Sequence, residues 1–459
     1  MLYRICFLLA VVVVGGSHGL VKFHEALDPV DDDNGYIIAA EFSTDFEELE
    51  EKLSEFTSKN DTLEYKVLWK FPVGLKFLFV QMNKATLDAI REWEDDIIYI
   101  EEDGWLHLQS KETSGNDTKE ETDKPKKKDG QPTEQWGLDR IDQRNVPLDG
   151  VFSVKPNAGS GASIYVVGTG VHVKHEDFGG RASNIYDYRG EDFNGRDCNG
   201  HGTHLASLAA GKKYGVAKNA TIYGVRITRC RGSAKLSDTV KAMQWLSENV
   251  KWPGVALIGV GSNKASPSLD NAIHRIYLQG CMVVLPAGNN NSLACDSSPG
   301  RMRMPITVGA TTRADYALYY SNHGSCVDIY APGMDVEAAY YDGSRTAVES
   351  KSGTCAASAY VTGAVAMHMG NGMPPFKIKD YLLRHATEYQ LRDVHDDDGD
   401  TTNKLLYVGK VSSRDADYKR PAGKKAKKTD KKKKDGKKDG KKGEKEGSSS
   451  TKDKTKTEL

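Results

Sequence analysis

Five short apolar runs, Ile164–Val167, Ile222–Ile227, Val255–Val260, Cys281–Leu285 and Ile306–Val308, alternate with segments of helical periodicity. Runs of this length without polar alternation form strands buried on both faces, and the helices between them supply the covering layers. Those helices read at Leu236–Val250, with Val240, Met243 and Leu246 on one face, and at Asn271–Leu278. Residues 135–410 are therefore expected to form an α/β domain, a parallel sheet covered by helices on both faces. Ligands of such sheets bind at the carboxyl ends of the strands.

Residues 20–108 follow a different rhythm. Tyr36–Ala40 reads as a strand, Phe46, Leu49, Leu53 and Phe56 recur at helical spacing, and strand-like runs follow at Tyr65–Trp69 and Leu75–Val80. Leu87, Ile90 and Trp93 mark a second helix and Ile97–Ile100 a last strand. The order β-α-β-β-α-β is that of the ferredoxin-like α+β fold. Residues 109–134 then collapse to mostly polar composition, too poor in apolar side chains to fold, and read as a disordered linker.

The chain has 63 basic and 64 acidic residues and a formal charge of -1, yet lysine is concentrated in residues 411–459. The remainder is correspondingly acidic. This lysine-rich segment reads as a disordered tail, either solubilising or a basic surface for acidic partners, with no specific nucleic-acid site.

At the N-terminus, residues 1–19 carry Arg4, the apolar run Cys6–Val14 and a cluster of small residues, the three-part pattern of a secretory signal peptide. No later apolar run is long enough for a transmembrane segment. The last four residues, Lys456-Thr457-Glu458-Leu459, resemble a variant of the retrieval signal of endoplasmic reticulum residents. The expectation is the secretory pathway, with secretion or retention in the endoplasmic reticulum lumen both open.

Disulfides persist in that compartment. Cys198, Cys230, Cys295 and Cys326 lie in or beside polar loops; they allow three pairings, of which Cys198 with Cys230 and Cys295 with Cys326 is the expected one. Cys281 then reads as a core residue and Cys355 as a free thiol. Glycosylation sequons begin at Asn60, Asn116 and Asn219, and a fourth at Asn290. The acidic loop Asp396–Asp400 has its glycine misplaced for a helix-loop-helix calcium site, so no metal or cofactor is required and a structural calcium ion lacks support.

Three segments carry chemistry. Asp197-Cys198-Asn199-Gly200-His201-Gly202-Thr203-His204 presents a histidine suited to general-base work. A metal pair of His201 and His204 lacks a third ligand at a fixed spacing. Pro286-Ala287-Gly288-Asn289-Asn290-Asn291 follows a buried strand, and Ser352-Gly353-Thr354-Cys355-Ala356-Ala357-Ser358 places a thiol at the start of an apolar helix. With the opening segment Trp136–Ile141 and the run Gln143–Asp149, these resemble, in order, the motifs of subtilisin-like serine proteases of the proteinase K type.

The resemblance implies a role for each position. His201 takes the place of the general base, Asn289 that of the oxyanion donor and Cys355 that of the nucleophilic serine. The aspartate motif is matched by Ile164-Tyr165-Val166-Val167-Gly168-Thr169-Gly170, in which Gly168 stands where the carboxylate belongs. Removing the function of that carboxylate from a triad costs on the order of 10⁴ in turnover. Residues 20–108 take the place of the family's inhibitory propeptide, a partner of the main domain. The expectation is a catalytically defective homologue that binds a peptide or protein partner. A weak thiol-dependent peptidase, esterase or ligase using Cys355, His201 and Asn289 is the alternative.

Overall fold

The computed structural model describes residues 20–30, 34–72, 76–92, 96–109, 131–153, 157–395 and 400–409. They belong to one compact unit that the chain forms up to Arg420. The expected signal peptide, most of the linker with Asn116, residues 396–399 and the lysine-rich tail with Lys456–Leu459 lie outside the described residues.

The N-terminal part comprises β1 (Lys22–His24), β2 (Gly35–Ala40), α1 (Phe46–Ser58), β3 (Tyr65–Phe71), β4 (Lys76–Met82), α2 (Lys84–Arg91) and β5 (Ile97–Glu102). Asp45 starts α1 by accepting from Glu47 N and Glu48 N, and Asn83 starts α2 by accepting from Thr86 N. Such acceptors satisfy first-turn N–H groups that the helix itself leaves without partners. The strands form a sheet in the order β1-β5-β2-β4-β3. β1 runs parallel along β5 as an added edge, and the other neighbours are antiparallel. Leu49, Leu53, Leu87 and Ile90 pack on Ile38, Leu78 and Ile100 across one face of this sheet.

The chain continues through β6 (Trp105–Leu108), β7 (Gln131–Pro132), α3 (Trp136–Ile141), β8 (Val151–Phe152), β9 (Ser163–Gly168), β10 (Ala182–Asp187), α4 (His201–Ala210) and β11 (Thr221–Arg226). Then come β12 (Ser233–Lys235), α5 (Leu236–Asn249), β13 (Gly254–Ile258), β14 (Val260–Gly261), α6 (Pro267–Leu278), β15 (Met282–Pro286), β16 (Ile306–Thr311) and β17 (Ile329–Pro332). β18 (Val336–Ala339), β19 (Val348–Lys351), α7 (Thr354–Gly370), α8 (Pro375–His385), β20 (Thr387–Glu388) and β21 (Lys404–Leu405) complete it.

The main sheet has the order β10-β11-β9-β13-β15-β16-β17-β21-β20. Its neighbours are parallel except for the terminal pair of β20 with β21. Alternate residues of β9 serve opposite layers. Ile164 and Val166 join the core of α4, α7 and α8, whereas Tyr165 and Val167 join that of α5 and α6. Winding reverses at β9, which has β11 on one side and β13 on the other. Its last residue, Gly168, thus lies at the switch point where α/β sheets bind ligands.

Two elements differ from the sequence reading for identifiable reasons. The apolar run Val255–Val260 is split, because Gly259 N donates to Val167 O at 2.9 Å and the chain then leaves the sheet. The helix expected from Asn271 begins at Pro267, where the Ser266 hydroxyl accepts from Leu269 N and proline occupies the first turn.

The outer face of the N-terminal sheet rests on α5 and α6. Phe71, Phe77, Phe79 and Tyr99 share one buried cluster with Val240, Met243, Leu269 and Ile273. Two carboxylates fix the contact. Glu101 accepts from Ser268 N at 2.8 Å, and Asp103 accepts from Ser237 N at 2.9 Å and from its hydroxyl at 2.5 Å. These are the first turns of α6 and α5, where negative charge is favoured, although burial pushes both carboxyls above their ordinary range.

Candidate functional site

Three chain segments converge beyond the carboxyl end of β9. Thr169, next to Gly168, accepts from Gly202 N at 2.8 Å and docks the first turn of α4 on the strand. A side chain at Gly202 would meet Gly170 O at 2.0 Å, so this approach requires glycine. Asp197 holds the preceding loop by accepting from Asn199 N, Gly200 N and Thr203 N. His201 is thereby fixed in the first turn of α4, 2 % exposed. Neither of its ring nitrogens has a hydrogen-bond partner among the described residues. Burial, with lesser effects of His204 and Lys351, pushes its pKa down to about 3, so the imidazole is neutral at physiological pH. His204 faces elsewhere and donates from Nε2 to Val336 O at 2.9 Å.

At Gly168 the backbone carbonyl accepts from Ile227 N at 2.8 Å and from Thr228 N at 3.2 Å. The residue is not in the left-handed region, and a Cβ built on it meets no heavy atom within 4 Å. Neither backbone nor packing demands glycine there. The nearby Thr228 hydroxyl is buried without a partner among the described residues.

α7 is apolar on all sides and runs through the core. Gly363 lets it approach α4 closely, since a Cβ there would meet Ala209 O at 2.5 Å. His201 and Cys355 consequently begin adjacent helices. Cys355 is fully buried, and its Sγ donates to Gly259 O at 3.6 Å. Burial pushes the thiol up to about 12, offset only in part by the Gln109 backbone. Asn289 is 4 % exposed; its Oδ1 accepts from Thr354 N at 3.0 Å, and its Nδ2 has no partner among the described residues. Asn322 supports this loop by donating to Ala287 O and accepting from Asn290 N.

A strand of the same chain enters the site. β6 pairs antiparallel with β12 on one side, matching Trp105 to Lys235 and His107 to Ser233, and with β14 on the other, matching Leu108 to Val260. Leu106 is 2 % exposed. Gln109 follows directly: its N–H donates to Gly259 O at 3.4 Å, and its carbonyl accepts from Cys355 N, also at 3.4 Å. The structure thus places Cys355 at the Gln109 carbonyl, with Asn289 bonded to the neighbouring Thr354 and the His201 ring beside Gly259, which the Cys355 thiol also meets. Gln109 itself, read from composition as the head of the linker, was missed. The available signal was the end of the apolar run Trp105–Leu108, where a strand must stop.

Both expected disulfides form, Cys198 with Cys230 and Cys295 with Cys326. Cys281 and Cys355 are free and buried. Asn60 and Asn219 are exposed.

Residues 159–429 match the model of the subtilase family. The chain belongs to that family. An alkaline serine exoprotease A of Vibrio alginolyticus is 39 % identical over 63 % of this chain and 52 % of its own length. An extracellular serine proteinase of a Thermus species is 42 % identical over 55 % of this chain and 61 % of its own. The chain therefore spans little more than half the length of these two relatives. A subtilisin-like protease 8 of Arthroderma benhamiae is 33 % identical over 81 % of this chain and 76 % of its own.

Among solved structures, a cold-adapted subtilisin-like serine proteinase superposes with a TM-score of 0.56 at 42 % identity, covering 59 % of this chain and 97 % of its own. Fervidolysin of Fervidobacterium pennivorans superposes with a TM-score of 0.66 at 20 % identity over 85 % of this chain and 63 % of its own, a likeness of fold alone. The α/β architecture is that of a subtilase. No helix among the described residues is long and apolar enough to cross a membrane.

Proposed function

We propose that this chain is a subtilase pseudoprotease, a scaffold that holds an extended peptide in its groove without cutting it. One observation carries the reading: among the described residues His201 has no partner on either ring nitrogen, while the Cys355 thiol turns to Gly259 O. A nucleophile is activated by a base within hydrogen-bond reach that is itself oriented by a third group. Here the thiol is protonated, the imidazole is neutral, and Gly168 supplies no carboxylate.

Residues 20–108 act as a propeptide-type domain that stays attached, with β6 filling the groove and the main domain as its partner. The chain works in the secretory pathway, secreted or retained in the endoplasmic reticulum. The lysine-rich tail solubilises the chain or serves acidic partners.

A second reading, a slow thiol-dependent hydrolase, draws on the hydrogen bond from Cys355 N to the Gln109 carbonyl. That contact is the kind that polarises a peptide carbonyl for attack. Expression of the full chain, with mass spectrometry for a cut after Gln109 and labelling of Cys355 by a peptidyl electrophile, separates the two. An uncut chain with an unlabelled thiol is expected. A cut after Gln109 that disappears in Cys355→Ala would overturn the pseudoprotease reading.

A further inference from the structure

The two disulfides differ in what surrounds them. Cys230 is exposed and Cys198 half-buried. The Arg226 guanidinium, 3 % exposed, lies against both sulfurs, with Nη2 at 3.0 Å from Cys198 Sγ and 3.5 Å from Cys230 Sγ. Its other donors are committed, Nη1 to Arg196 O and Nε to Thr228 O. Of the two carboxylates near Arg226, Asp187 is held chiefly by Arg189 at 2.8 Å and stands 3.8 Å from Arg226, and Asp197 is engaged by Asn199 N, Gly200 N and Thr203 N and hydroxyl. In the other bridge Cys326 is 4 % exposed. Its sulfur lies 3.6 Å from Arg301 O, an environment that disfavours a thiolate.

We propose that the Cys198–Cys230 bridge is a site of thiol–disulfide exchange, opened by a dithiol reductant that attacks Cys230, and that its opening loosens the groove around β6. The attacking thiolate forms a mixed disulfide with Cys230 Sγ. The bond between Cys230 Sγ and Cys198 Sγ breaks, and its electron pair leaves on Cys198 as a thiolate beside the Arg226 guanidinium. Exchange is faster when the departing thiol has a low pKa, and a neighbouring arginine lowers it. The second thiol of the reductant then attacks the mixed disulfide. Two cysteine thiols remain, and the reductant leaves as its own disulfide.

The groove depends on this bridge through short connections. Cys198 lies three residues before His201, the first residue of α4, in the loop that positions it. Cys230 lies in the turn closed by Gly232 N donating to Arg229 O, which leads straight into β12. Asn199 Nδ2 donates to Cys230 O at 2.9 Å. The same turn touches the bound strand twice. The Arg229 guanidinium lies 4.1 Å over the Trp105 ring, and Gly232 leaves room for Leu108, whose Cδ1 would be 2.6 Å from a Cβ there. Opening the bridge frees the turn, and with it one of the two strands that clasp β6. None of this requires that the site cut or spare peptide bonds.

The test uses the full chain under dithiothreitol below its unfolding transition, with maleimide trapping of new thiols and mass spectrometry. Cys198 and Cys230 should be trapped at least about tenfold faster than Cys295 and Cys326. Amide exchange at Trp105–Leu108 and Ser233–Lys235 should rise as the bridge opens, while β18 and β19 stay unchanged. Arg226→Met should slow opening relative to the reference bridge Cys295–Cys326, and Arg226→Lys should retain most of the rate. Equal trapping of both bridges, or opening that leaves exchange in β6 unaltered, overturns the proposal. The wild-type measurements decide the matter even where a variant folds poorly.

Discussion

The Cys355 thiol donates to the carbonyl of Gly259 at 3.6 Å. Gly259 is the residue at which the chain leaves the main sheet, and a Cβ there would lie 3.3 Å from His201 Cε1. The same backbone step therefore occupies the thiol and flanks the imidazole. With a pKa pushed up to about 12, Cys355 holds roughly one part in ten thousand as thiolate at pH 8. Iodoacetamide at that pH should leave it unmodified in the native chain and modify it only after unfolding. Native labelling at a rate comparable to a free cysteine would contradict the geometry.

Gly168→Asp should fold normally, since nothing stands within 4 Å of the new Cβ and the backbone is not left-handed. A carboxylate there favours the charged imidazole and should raise the pKa of His201 by roughly 1 to 3. Histidine resonances followed by NMR across pH 3 to 8 check this. Combined with Cys355→Ser, the substitution should yield slow cleavage after Gln109. An intact chain would show that restoring the carboxylate and the hydroxyl is not enough for cleavage.

Acid should destabilise the fold through its buried histidines. Burial holds His201 at about 3 and His204 at about 4, against 6.5 when free. Their folded values are depressed, so the unfolded chain binds more protons once the pH falls below 6.5, and stability declines from there towards 4. Each histidine accounts for a loss on the order of 2 kcal/mol between pH 7 and pH 5. Denaturant titrations at the two pH values measure it, and His201→Gln should remove its share.

Leu106→Ala should loosen the bound strand. Leu106 is 2 % exposed within the cluster that includes Leu236 and Val260, and truncating such a leucine costs about 2 to 5 kcal/mol. Hydrogen exchange in β6 should accelerate accordingly. His107→Ala, one residue on, removes an exposed hydrogen bond to Asp28 and should change it little.

Glycans should appear at Asn60 and Asn219 when the chain passes through a secretory host. Both are exposed, and Asn60 Oδ1 already accepts from the Thr62 hydroxyl at 2.8 Å within its sequon. Mass spectrometry with Asn60→Gln and Asn219→Gln provides the readout; unmodified asparagines at both positions would argue against passage through that pathway.

The sheet and its two helical layers were legible because Ile164–Val167 and its counterparts are apolar on both faces, the pattern of parallel strands covered by helices on both sides. Gly168, expected in the place of a carboxylate, could be singled out in the sequence only because the residues around it keep their pattern. Other parts were not. Gly259 acts through its carbonyl oxygen, which any residue would supply, so no side chain advertises it. Gln109 and Gln131–Pro132 lie at the ends of a polar stretch, and composition cannot tell a polar residue in a groove from one in solvent. Arg226 reads as the end of an ordinary strand, and its contact with two sulfurs arises from a turn that brings Cys230 back to Cys198.

The continuity of β6 with the domain that rests on α5 and α6 also decides who else can use the groove. A strand tethered in this way competes as though present at millimolar concentration or above, whatever its intrinsic affinity. An incoming peptide of ordinary micromolar affinity would find the groove taken. The vacancy has to be created first, by undocking the Glu101 and Asp103 contacts, by severing the chain beyond Gln109, or by weakening the wall that Cys230 supports. On the proposed reading, the groove is governed less by what it prefers to bind than by what releases its resident strand.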